Sequence, residues 1–78
     1  MLSNANTTAH QMAIPPALNL IAAGRDFVTT NEAALALNRR PQTMHKWACY
    51  GGPIRPVRQF GKLGWRVSDL ARLMNGEV

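Results

Sequence analysis

Thr29-Thr30-Asn31-Glu32-Ala33-Ala34-Leu35-Ala36-Leu37-Asn38-Arg39-Arg40-Pro41-Gln42-Thr43-Met44-His45-Lys46-Trp47-Ala48-Cys49 is the stretch that decides how this chain is read. Thr29 and Glu32 have the spacing of a capping box, in which the hydroxyl accepts from the third helical amide and the carboxylate reaches back to the cap amide. The run Ala33 to Leu37 behind them is a strong helix former with small residues for close packing. Asn38 tolerates the left-handed backbone that ends such a helix. Pro41 suits the first position of a second helix and biases Arg40 towards an extended conformation. In that second helix, from Pro41 to about Cys49, Met44, Trp47 and Ala48 are spaced to form an inward stripe. Gln42 and Lys46 then point outwards, with Thr43, His45 and Cys49 on the flanks. Two short helices around a tight turn make a helix-turn-helix, whose second member can enter a major groove.

Working outwards, Tyr50-Gly51-Gly52-Pro53 stops the second helix. Val57-Arg58-Gln59-Phe60 and Trp65-Arg66-Val67 read as the strands of a hairpin, with Gly61-Lys62-Leu63-Gly64 as its turn. Ser68 is placed to cap a last helix whose apolar face is Leu70, Leu73 and Met74. Upstream, Pro15-Pro16 and Gly24 bracket a short helix over Ala17 to Ala23, too short to stand without docking on something. Residues 1–14 are small and polar and read as a flexible arm, 15–24 as the docking helix, and 25–78 as the main domain. The expected class is mainly α with a small β-hairpin.

Composition narrows the function. The chain has 78 residues, nine Lys and Arg against four Asp and Glu, and a net charge of +5. Its 46% apolar content is enough to fold, but 78 residues leave no room for a large core or a closed catalytic cavity. No apolar run is long enough to span a membrane, and no cation precedes the first apolar stretch as in a secretory signal. The single cysteine, Cys49, excludes an internal disulfide and suits a reducing cytoplasm. Between Ala33 and Ser68 lie Arg39, Arg40, Lys46, Arg55, Arg58, Lys62 and Arg66, with no carboxylate among them. A stretch of one sign without its own counterions suits a polyanion, because phosphate contacts release condensed ions from nucleic acid.

The order of these pieces resembles the winged helix-turn-helix shared by MerR-type regulators, phage excisionases and AlpA-type regulators. The residues that carry the resemblance are Thr29-Thr30-Asn31-Glu32-Ala33-Ala34, then Thr43-Met44-His45-Lys46-Trp47, then Gly61-Lys62, then Trp65-Arg66-Val67-Ser68-Asp69-Leu70. Together they cover Phe27 to about Asn75. Two positions depart from the pattern: Asn38 stands where a glycine is usual, and Arg40 where a Ser or Thr cap is usual. The resemblance implies a double-stranded DNA binder of a phage or mobile element in the bacterial cytoplasm. Such a protein works as an excisionase-like directionality factor beside an integrase, or as a small transcriptional regulator. One module covers only about 600–1,000 Å² of DNA, so neighbouring copies or a dimer are expected. The alternatives are a packaging or replication DNA-binding subunit, or an antirepressor-like module that binds an acidic protein.

Gln42 and Lys46 are the expected base readers, since Gln suits adenine and Lys the guanine acceptors. His45 is a frequent DNA contact in the resembled family, or else a plain surface histidine, and Thr43 suits a phosphate. Arg39 and Arg40 are expected on phosphates at the turn, and Arg58, Lys62 and Arg66 along the wing. Arg55 suits either a phosphate or a covering of apolar surface by its stem. Trp47 and Trp65 read as core anchors rather than stacking platforms. His45, Cys49 and His10 fall short of the four ligands of a structural zinc, and no orienting third group makes a Cys/His nucleophile. No cofactor, metal site or catalytic residue is expected.

Overall fold

The computed structural model describes residues 13–59 and 61–77. Most of the expected arm, His10 and the strand position Phe60 lie outside the described residues. Among these, four helices pack around a small antiparallel sheet: α1 Pro16–Ala22, β1 Phe27–Val28, α2 Thr30–Leu37, α3 Pro41–Tyr50, β2 Val57–Gln59, β3 Lys62–Arg66 and α4 Val67–Met74. The architecture is therefore mixed α/β rather than mainly α with a lone hairpin, because β1 adds a third strand in the order β1-β3-β2.

The capping box forms as read. The Glu32 amide donates to Thr29 Oγ1 at 3.1 Å, and the Thr29 amide donates to Glu32 Oε1 at 2.9 Å. Asn38 ends α2 in the left-handed region at φ 56°, its amide returning to the Ala34 and Leu35 carbonyls. Pro41 opens α3, which runs through Tyr50, one residue beyond the expected end, and stops where Gly51 takes φ 96°. The expected left-handed stop of α1 falls on Ala23 (φ 51°) as well as Gly24 (φ 83°), and the helix starts at Pro16, whose fixed φ suits that position.

The core gathers Leu18, Val28, Ala33, Ala34, Met44, Trp65, Leu70 and Ala71, all nearly or fully closed to solvent. Small residues on α2 let α1, α3 and α4 approach it closely. Trp65 is the largest fully buried side chain, and its indole N–H donates to Thr30 Oγ1 at 3.0 Å. This bond satisfies the one polar atom that burying an indole brings inside. Trp47, expected to be an equal anchor, is only half-buried and packs at the edge of the core. Its ring closes against Gly52, where an added Cβ would come within 2.9 Å of Trp47 Cβ and closer still to the indole. That contact leaves room only for glycine at position 52.

The hairpin corrects the expected turn. Val57 pairs with Gly64, Arg58 with Leu63 and Gln59 with Lys62, so β3 already runs through Lys62, Leu63 and Gly64. The reversal uses Gly61, at φ 77°, instead of the whole Gly61–Gly64 stretch. Gly64 stays extended beside Phe27, whose Cβ lies 3.6 Å from where a Gly64 side chain would begin. On the other edge Phe27 pairs with Arg66 and Val28 with Trp65. The Val67 amide then donates to the Asp26 carbonyl at 2.8 Å, so an otherwise unpaired N–H at the start of α4 is satisfied by the sheet. Because α4 begins at Val67, Ser68 stands inside its first turn, and the expected cap at Ser68 does not form.

Candidate nucleic-acid interface

Gln42, Thr43, His45 and Lys46 line one open hollow on α3, with Thr43 half-buried and the other three exposed. They are held there because Met44, fully buried, and the half-buried Trp47 and Ala48 fix the opposite face of the helix on the core. The rotation of α3 therefore follows from its apolar stripe, and no element among the described residues covers its polar face.

The turn cations separate. Arg40 is the extended residue before α3 and makes no side-chain cap. Arg39 is exposed too, but lines a different groove, with Leu37, Trp47, Pro53 and Met74. The two hairpin arginines also separate, which the sequence left open. Directly paired residues on neighbouring strands project to the same side of a sheet, and successive residues alternate. Trp65 faces the core, so Leu63 and its partner Arg58 share that side. Lys62, Gly64 and Arg66 project from the outer side, where the Arg66 guanidinium stacks over the Phe27 ring with 5.0 Å between guanidinium carbon and ring centroid. Arg58 and Arg66 thus stand on opposite faces, and the expected wing set Arg58, Lys62 and Arg66 is not one surface.

Other residues join α3 instead. Tyr50, 88% exposed, ends the helix. Arg55 and Arg58 meet it, with Cys49, along a depression between the last turn of α3 and the core side of the hairpin. In the sequence Tyr50 adjoins the Gly51-Gly52-Pro53 stop, and nothing local sets it apart from that stop as a binding residue.

The carboxylates lie elsewhere. Among the described residues the one ion pair is Arg25 with Glu32, at 2.8 Å. Arg25 also donates from Nε to the Ala22 carbonyl at 2.9 Å and from Nη2 to the Ile21 carbonyl at 2.8 Å. Its guanidinium therefore joins the open carbonyls ending α1 to the first turn of α2. That guanidinium, together with the Thr29 amide, holds the Glu32 carboxyl down to about 2, well below the usual carboxylate range. None of these contacts draws on a cation of α3 or the hairpin.

No group of His, Cys, Asp and Glu among the described residues could hold a metal ion, and no described helix is long and apolar enough to cross a membrane. No known family model matches the chain, and no curated protein and no solved structure shows significant similarity to it.

Proposed function

We propose that this chain binds double-stranded DNA as a winged helix-turn-helix, with α3 in the major groove and the β2–β3 hairpin as the wing. The observation that carries this reading is the open polar face of α3. Gln42, His45 and Lys46 are exposed together there, in a part of the chain whose cations have no carboxylate partners among the described residues. Gln42 and Lys46, one helical turn apart, act as base readers, His45 flanks them, and Thr43 and Arg40 contact phosphates. Nothing in this role requires chemistry. The protein acts by occupying and organising sites, either as an excisionase-like partner of an integrase or as a small regulator of transcription, with neighbouring copies or a dimer adding affinity.

Titrating salt against binding of a labelled duplex tests the class of partner. Engagement of about four to six phosphates gives a slope of log K on log salt between about −3.6 and −5.4. A slope near zero, with tight binding to an acidic protein instead, overturns the DNA reading. Selecting binders from random duplexes then separates the duties. Direct repeats about one helical turn apart support an excisionase-like array, and inverted repeats support a two-fold regulator.

A further inference from the structure

The strand register decides which hairpin cations can work with α3. Arg58 leaves the sheet on the side of Leu63 and Trp65, towards the last turn of the helix, and Arg66 leaves on the other. The depression on the helix side gathers Cys49, Tyr50, Arg55, Arg58 and Leu63. Both arginines are exposed, and neither has an acid partner among the described residues. Two guanidiniums around one hollow repel each other until an anion sits between them. The Tyr50 ring is left out in solvent beside them at 88% exposure, its hydroxyl without a protein partner among the described residues.

We infer that this depression seats a backbone phosphate of duplex DNA. The Arg55 and Arg58 guanidiniums hold it, and the Tyr50 hydroxyl is a third, neutral donor. The inference rests on the DNA reading above and adds where the strand runs. Guanidinium forks match phosphate oxygens two at a time, which a single lysine cannot do. The reach is also right. The ten residues of α3 make a helix about 15 Å long, against a major groove about 12 Å wide, so its last turn comes abreast of a phosphate wall when its polar face lies in the groove. The same geometry takes Arg66 out of the interface and leaves it to its stacking on Phe27.

The test uses the whole chain and a mixed-sequence 20-bp duplex, read by fluorescence anisotropy across a salt series. Arg55→Gln with Arg58→Gln should flatten the slope of log K on log salt by about 0.9, one phosphate's worth, equally for every sequence, whereas Arg66→Gln should leave it unchanged. Tyr50→Phe should cost about threefold in affinity with no change of slope. Circular dichroism melts check that each variant folds. A readout on the unaltered protein stands beside them: Cys49, exposed in the same depression, should react with iodoacetamide at least fivefold more slowly when the duplex is saturating. An unaltered slope in the folded double variant, or Cys49 reactivity that the bound duplex does not slow, overturns the phosphate seat alone. A wild-type protein that does not bind the duplex overturns the DNA reading and the seat with it.

Discussion

Arg25 and Arg58 are both exposed arginines, and the molecule treats them oppositely. Arg25 caps the carbonyls of Ile21 and Ala22 and pairs with Glu32, so its charge is neutralised in holding α1 to α2. Arg58 stands on the core side of the hairpin beside Arg55 and Tyr50, with no acid partner among the described residues. The α1–α2–β1–α4 side closes its polar groups internally, through the capping box, the Trp65–Thr30 bond and the Val67–Asp26 bond. On the side of α3 and the hairpin, Arg55, Arg58 and Lys46 have no acid partner among the described residues. Charge density alone is a poor guide to a binding surface; what matters is which charges the fold has already neutralised.

Substitutions that break the closed side should therefore change stability, and those on the open side should change binding. The largest effect is expected from Trp65→Ala, which removes the fully buried indole and leaves Thr30 Oγ1 without its donor. The loss is about 3–5 kcal/mol, against about 4–12 kcal/mol for a domain of this length, and urea unfolding measures it. Equal losses from Trp47→Ala and Trp65→Ala would contradict the difference in burial between them. Next comes Gly52→Ala, whose methyl collides with Trp47 and forces the loop after α3 to move, at about 1–3 kcal/mol in the same assay.

Thr29→Ala is expected to cost about 1 kcal/mol by removing the α2 cap, read as a lower melting temperature. Glu32 gives this side a pH dependence. Its carboxyl titrates at about 2 when folded, against 4.5 ordinarily. Because the folded value is the lower one, the contribution is complete above about pH 4.5 and is lost as the pH falls towards 2. Glu32→Gln should flatten the stability profile across that window and leave it unchanged near neutrality in shape; an undiminished acid limb would show that Glu32 is not its source.

Much of the closed side is legible along the chain because its determinants are local. Thr29 with Glu32, Asn38 before Arg39, and Pro41 each act within one helical turn, so spacing alone locates α2 and α3. The misreadings come from partners distant in sequence. Phe27–Val28 is too short to announce itself as a strand, and exists because Arg66 and Trp65 supply its pairing. Gly61 and Gly64 are equally good turn residues by composition, and only the pairing of Gly64 with Val57 shows that the chain reverses at Gly61. Ser68 is a good cap by type, but the sheet carries the chain into the helix one residue earlier, at Val67. For the interface, the outward face of α3 follows from the Met44-Trp47-Ala48 stripe. The sorting of Arg58 from Arg66 needs a register that no local signal carries.

On the open side, Lys46→Ala and Gln42→Ala should shift the unfolding midpoint hardly at all, by less than about 0.5 kcal/mol, since both side chains are exposed on a helix fixed by its other face. Their effect belongs to site choice. The most direct measurement is parallel selection from random duplexes by the wild type and by Lys46→Ala, at matched salt. The account predicts a defined motif for the wild type that loses definition at one base pair in the variant, worth about 1–3 kcal/mol of discrimination. The same motif recovered with undiminished definition from both proteins, or no enrichment by the wild type, would contradict it.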